Sequence, residues 1–258
     1  MNTQIIRHTR FVRSLRIIRT SGPLIALLLV FQSCSRNGCP LTSGSMTSEN
    51  RDLPPFNEII LNGKVNLILT QDSVQQVRVS AGKNLLPGIQ TNVDNNVLTI
   101  GDNNTCSALR DPSDEVNVYI SSGQLQNITY YGAGNITSTN TLQAPIFTVD
   151  SWVGSGTITL NLQAGLVNAL VRNENATIVL TGSTDSAYIY CGEAGAVNML
   201  NCPAGKVAID HKSVRDIYVN VTDALHANIV YVGNVYYAGS PSTIDTLVTS
   251  AGRLIHIP

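Results

Sequence analysis

Charge is scarce in this chain, histidine scarcer, and no stretch beyond its first 33 residues carries a helical period. Only 13% of the 258 residues are charged against 43% hydrophobic, which excludes a coiled coil and a highly charged disordered chain. The four histidines, His8, His211, His226 and His256, are scattered, and no Cys-Xaa-Xaa-Cys or Cys/His spacing suits zinc, so no metal and no cofactor is expected. EF-hand and repeat-type calcium spacings are missing. No Gly-Xaa-Ser-Xaa-Gly occurs, and no helix follows any glycine-rich turn to make a phosphate cradle. Five arginines (Arg7, Arg10, Arg13, Arg16, Arg19) precede the first acid. Beyond residue 33 there remain 11 basic and 17 acidic residues, about −6. A mildly acidic chain is a poor binder of nucleic acid.

What is present is a repeat. From about Leu125 to Gly239 one strand position recurs as Ile128, Val149, Ala169, Ile189, Ile209 and Ile229, and a second as Ile136, Ile158, Ile178, Val197, Ile217 and Val235. Turns rich in Gly and Asn separate the two, such as Gly132-Ala133-Gly134 and Gly154-Ser155-Gly156. A fixed period near 20 residues with two short strands per unit indicates stacked β-coils, since one unit cannot bury its apolar side alone. The fold class is therefore all-β: a right-handed parallel β-helix-like stack with about 20 residues per coil. Before the repeat, β-branched residues alternate with period two over Phe56–Gly63, Val65–Leu69, Val77–Val79, Val97–Ile100 and Val116–Ile120. The turn Asp94-Asn95-Asn96 leaves room for antiparallel pairing there, and Lys83–Pro87 for one helical turn.

The N-terminus reads as an address. A basic stretch precedes Leu24-Ile25-Ala26-Leu27-Leu28-Leu29-Val30-Phe31, an apolar run too short to span a bilayer, and Gln32-Ser33-Cys34 follows. Phe-Gln-Ser-Cys resembles a bacterial lipobox, which implies a signal peptide over residues 1–33 and acylation of Cys34. Residues 34–55, poor in apolar periodicity, are read as a flexible tether, and residues 56–258 as the folded domain. Cys39, Cys106, Cys191 and Cys202 remain, with three disulfide pairings open. Cys191 shares strand parity with Ile189, so a buried free thiol is equally consistent.

Phe56-Asn57-Glu58-Ile59, Asn84-Leu85-Leu86, Leu98-Thr99-Ile100, Tyr131-Gly132-Ala133-Gly134-Asn135-Ile136 and the closing Gly233-Asn234-Val235-Tyr236-Tyr237-Ala238-Gly239-Ser240-Pro241 together resemble the head-GIN-domain family of exported Bacteroidetes proteins, described as auto-transporter adhesins. The resemblance spans about residues 56–256. It implies a β-helix-like fold and a place in the cell envelope, and it carries over no catalytic residue.

Three functions are weighed. The first is a lipid-anchored adhesin of the outer membrane, not an enzyme, facing the periplasm or the surface and presenting a rigid β-face to glycan or protein. Its candidate surface is Tyr130, Tyr188, Tyr190 and Trp152, because rings outside a rigid sheet can stack on sugars or pack on a partner. Tyr188 and Tyr190 have parity opposite to Ile189 and should point outward. The second is a polysaccharide-active enzyme of the pectinase or lyase kind. Asp150 and Asp210 sit three coils apart, hence roughly 14 Å at ~4.8 Å per coil, too far for a hydrolase pair at about 5–9.5 Å. Asp210, His211 and Arg215 form the alternative site, against a solvated turn. The third is a structural envelope component. The membrane is the one partner implied, through the N-terminal lipid.

Overall fold

The computed structural model describes residues 42–104, 115–173 and 175–258. The signal peptide, Cys34, Cys39 and Cys106 lie outside the described residues. Cys39–Pro258 forms one compact unit, an all-β solenoid of about six turns with roughly 20 residues per coil.

Its strands, in order, are β1 (Met46–Arg51), β2 (Glu58–Gly63), β3 (Asn66–Thr70), β4 (Gln76–Gly82), β5 (Ile89–Asp94), β6 (Val97–Asp102), β7 (Asn117–Ser121) and β8 (Asn127–Gly132), then the long strands β9 (Ile136–Ser151), β10 (Thr157–Val171), β11 (Thr177–Glu193), β12 (Ala196–Ser213) and β13 (Ile217–Ile229), and finally β14 (Val235–Ala238), β15 (Thr243–Val248) and β16 (Leu254–His256). Among the described residues one 3-10 turn, Leu86–Gly88, is the whole helical content. Each long strand bends and so serves two faces of the solenoid. One face runs β5-β6-β2-β8 and then through the second halves of β9 to β13 to β15. The other runs β1-β4-β7-β3 and then through the first halves of β9 to β13 to β14 and β16.

Side-chain columns run through the core as the period demands. Leu67, Ile136, Ile158, Ile178, Val197, Ile217 and Val235 stand one above another, and all are buried. The second column holds Ile59, Ile128, Val149, Ala169, Ile189 and Ile209. It then departs from the expected list: Ile209 stacks on Ala227, and Ile229 stacks on His211. The bend within β13 is two residues shorter than that of β12: Met199 pairs with Val219, 20 residues on, but Lys206 pairs with Ala224, only 18 on. A side chain moved by two keeps its parity, so Ile229 is still fully buried.

The close stacking of coils requires glycine at the turns. A Cβ on Gly134 would lie 1.9 Å from the Val65 carbonyl oxygen, and one on Gly156 2.0 Å from that of Gly134. Both contacts are with backbone, which cannot swing aside.

The first half is mixed: β2 and β3 pair parallel with their neighbours, and the outer strands pair antiparallel. Asn95 and Asn96 both adopt positive φ (49° and 64°), the two-residue hairpin that joins β5 to β6. β4 runs antiparallel on β7, and β1 antiparallel on β4. The segment linking β4 to β5 crosses this end of the solenoid. It buries Leu85, Leu86 and Ile89 and is tied down by Asn104 Nδ2 donating to the Leu85 carbonyl at 2.9 Å. The tether expected over residues 34–55 therefore stops short: Met46–Arg51 is a strand in register with Val77–Gly82. Its side chains are mostly exposed, so backbone pairing is its main hold, helped by Arg51 Nη2 donating to the Leu86 carbonyl at 3.5 Å, and such a strand leaves no apolar alternation to read.

Candidate functional site

Of the four rings expected on one surface, three lie there and one does not. Tyr130 is a core residue with no exposed surface. Its parity in β8 matches Ile128, and it faces Ser151 in the next coil. The phenol donates to the Gly134 carbonyl at 2.5 Å and accepts from the Gly156 N–H at 3.1 Å, pinning two successive turns. Burial raises its pKa above the ordinary tyrosine value, so it stays a hydrogen-bond donor at any ordinary pH.

Tyr188, Tyr190 and Trp152 are on the face built from the second halves of the long strands. Parity makes this so: Ile189 and Cys191 point in, and Tyr188 and Tyr190 point out. Asp150, Leu170, Tyr190, Asp210 and Asn228 occupy one row across five coils. The row above, Trp152, Arg172 and Lys212, lies two residues further along the chain. Arg172 is the centre of the cluster. Its Nε and Nη2 grip the two carboxylate oxygens of Asp150 at 2.7 and 3.0 Å, and its guanidinium lies over the Trp152 ring, 4.6 Å from the centroid. The Asp150 hydrogen bonds raise the arginine pKa further above its usual value. Gly192 keeps the next position clear, since a Cβ there would meet the Arg172 carbonyl oxygen at 2.2 Å.

One coil on, Lys212 Nζ stands over Tyr190 at 5.5 Å from the centroid. Tyr188 faces Ala208 in the neighbouring strand. That small side chain lets the ring lean diagonally, and its hydroxyl donates to Asp210 Oδ2 at 2.8 Å. Asn228 Nδ2 donates to the other oxygen at 3.1 Å. Burial, reinforced by Asp210, raises the Tyr188 pKa. Both carboxylates are thus held by neighbours, and both cations lie beside rings. The strip alternates aromatic and cationic groups, Trp152, Arg172, Tyr190 and Lys212, with the charge of Asp150 and Asp210 balancing them. The spacing of Asp150 and Asp210 is three coils, as expected, which leaves neither near enough to the other to act as a hydrolytic pair.

The alternative triad does not assemble. Asp210 points outward, while His211 points into the core between Cys191 and Ile229 and has no exposed surface. Arg215 is elsewhere, clamping the turns by donating to Thr177 Oγ1 at 3.0 Å and to the carbonyls of Asn175 and Ala194. The solvated turn weighed against that triad is also corrected. Strand β12 continues through His211 to Ser213, and strand parity sends adjacent side chains to opposite sides. Cys191 and Cys202 are buried free thiols. Burial pushes the Cys191 thiol up to about 12 and that of Cys202 to about 11, so neither supplies a thiolate nucleophile. Among the described residues no three His, Cys, Asp or Glu side chains converge as a metal site would need.

Arg172, Asp150 and Lys212 were missing from the expected surface, although the signal existed. Arg172 is one 20-residue period after Trp152, and the same arithmetic that aligns the isoleucines aligns these two.

A parallel solenoid that displays a face of aromatic and charged side chains defines the class. The chain belongs to the family described as "Putative auto-transporter adhesin, head GIN domain", whose model matches residues 55–241. Its fold is similar to that of a putative adhesin from Bacteroides fragilis (TM-score 0.77, 21% identity, 84% of this chain and 99% of that one). It is also similar to a putative adhesin from Parabacteroides distasonis (TM-score 0.63, 19% identity, 84% and 99% covered). A protein of the same organism described as a putative lipid binding protein shares the fold as well (TM-score 0.63, 18% identity, 83% and 98% covered). No curated protein matches.

Proposed function

We propose that this chain is a non-enzymatic adhesin of the cell envelope that binds neutral glycan through the strip formed by Trp152, Arg172, Tyr190 and Asp210. The arrangement of Arg172 carries the reading: it is held by Asp150 against one side of the half-exposed Trp152 indole. A sugar ring stacks on an aromatic face through its C–H groups, and its hydroxyls need fixed donors and acceptors nearby. Arg172, Asp210, Asn228 and the Tyr188 hydroxyl are such groups, already oriented by one another, so little ordering entropy is lost on binding. Two cations balanced by two carboxylates favour a neutral saccharide over a uronate, which also separates this reading from a lyase.

A glycan array probed with the compact unit should give binders. For the best of them, Trp152→Ala and Tyr190→Ala should each weaken binding by about tenfold or more, as loss of an aromatic anchor does. An empty array with a specific protein captured instead would make the ligand a protein. Turnover of a uronate polymer lost on changing Asp210 would make the chain an enzyme.

The N-terminus supports an anchor to go with this face. Acylation of Cys34 would hold the domain at a membrane through buried methylenes. Metabolic labelling with a fatty-acid analogue is expected to tag the protein, and Cys34→Ala to abolish the label and move the protein out of the membrane fraction. Persistent label in that variant overturns the assignment.

A further inference from the structure

The two ends of the solenoid are finished differently. At the N-terminal end the Leu85–Ile89 segment lies across the core, and the outermost strand β1 turns Glu49 and Arg51 toward the side where Val79 and Val77 are buried. Charges placed inward on an edge strand block further pairing. At the other end nothing comparable occurs among the described residues. Strand β15 pairs only with β13. Its inward positions are Ile244, Thr246 and Val248, none charged. Leu225 and Ile229, directly beneath the first and last of these, are 1% and 0% exposed, whereas Ile244 and Val248 are 44% and 43% exposed. The apolar columns therefore run out into solvent at a bare strand edge.

The hydrogen-bonding groups at that edge can be assigned. Thr249 N–H donates to the Ile229 carbonyl. In a parallel ladder successive residues bond to opposite sides. Asp245 and Leu247 thus face β13, and Ile244, Thr246 and Val248 present N–H and C=O outward.

We infer that this edge pairs with the same edge of a second copy, antiparallel, about a two-fold axis through Thr246. Three features select a second copy. Ile244-Asp245-Thr246-Leu247-Val248 is self-complementary in that arrangement: Ile244 meets the other copy's Val248, Thr246 meets Thr246, and both columns continue without a break. The outward-bonding residues are the ones that form hydrogen-bonded pairs about such an axis. On the opposite face of the sheet Asp245 meets Leu247, so no like charges oppose, and Asp245 is already bonded to His226 Nδ1 at 2.8 Å. The opposite edge of this sheet, β5, pairs only with β6 and also turns no charge inward (Ile89, Thr91, Val93), so the choice of a second β15 rests on the self-complementarity of the strand; such an isologous contact closes at two chains, where a head-to-tail stack would grow without limit. The dimer would carry two copies of the Trp152–Tyr190 strip on one rigid body, which raises avidity without new contacts.

The test is the mass in solution of the compact unit by light scattering across micromolar concentrations. A dimer is expected, and Thr246→Lys, which places two like charges on the axis, should give a folded monomer with an unchanged circular dichroism spectrum. In a chain with Cys39 and Cys106 replaced by Ser, Thr246→Cys should oxidise to a covalent dimer. Directly opposed residues of a hydrogen-bonded antiparallel pair stand about 5.5 Å apart at Cα, within the ~4.4–6.8 Å a disulfide needs. A monomer at every concentration, an oligomer that passes beyond two, or a dimer indifferent to Thr246→Lys overturns the inference.

Discussion

Replacing Tyr130 by alanine is expected to lower the unfolding free energy by about 3–5 kcal/mol, the cost of deleting a large buried ring. The ring fills the solenoid between Leu61 and Ser151 in the adjacent coils. Its hydroxyl also joins the turn at Gly134 to that at Gly156. Tyr130→Phe separates the two contributions. It keeps the volume but leaves a buried carbonyl and an N–H short of a partner, and should cost about 1–3 kcal/mol. Trp152→Ala is the contrast. At 39% exposure, and outside the core columns, it should change stability by less than about 1 kcal/mol while removing binding. Urea unfolding of the three variants checks this. A Tyr130→Ala protein as stable as the parent would mean the ring is a surface group after all.

Stability should also fall as the pH drops below about 6.5, and His211 should be the cause. This imidazole has no exposed surface, and neither ring nitrogen makes a hydrogen bond of good geometry within the described residues. Burial pushes its pKa below the ordinary histidine value, against smaller opposing effects of the Gly233 backbone and the Asp216 carboxylate. In the unfolded chain the same ring takes up a proton near pH 6.5. Between that value and the lower folded one, the unfolded state binds the extra proton. Stability therefore declines with falling pH, by up to about 1.4 kcal/mol per unit, and is independent of this group above about pH 7.5. His211→Leu, which suits a column of Val171, Cys191 and Ile229, should flatten the decline between about pH 7.5 and 5 and leave the neutral-pH stability equal or higher. Thermal unfolding across that range measures it. Identical slopes for parent and variant would show that His211 is not the cause.

How much of the site could be read in advance depended on what parity can say. Tyr188 and Tyr190 flank Ile189, so their outward direction was implied once Ile189 was placed in the core. Tyr130 was open to the same test against Ile128, two residues before it, and that test puts it inside. Asp210 and His211 are neighbours in the chain and strangers in the fold, because consecutive residues of a strand face opposite sides. Arg172 could be aligned with Trp152 by the period. Its grip on Asp150 could not be foreseen, because a side chain's reach across coils depends on the rotamer and on the space Gly192 leaves.

The recurrence of β-branched residues near every twentieth position, with Gly and Asn between, was enough to dictate stacked coils. A unit with one apolar side and no partner has no other way to leave water. Sequence alone also set the direction of most side chains, through the two-residue repeat of a strand. Tertiary structure decided the register and the ends. Whether Ile229 lands over Ile209 or over His211 turns on how many residues a bend consumes. Whether an end is covered turns on the route of the Leu85–Ile89 segment and on the charges that β1 turns inward. Those are questions of distance between residues far apart in the chain, and no local pattern encodes them.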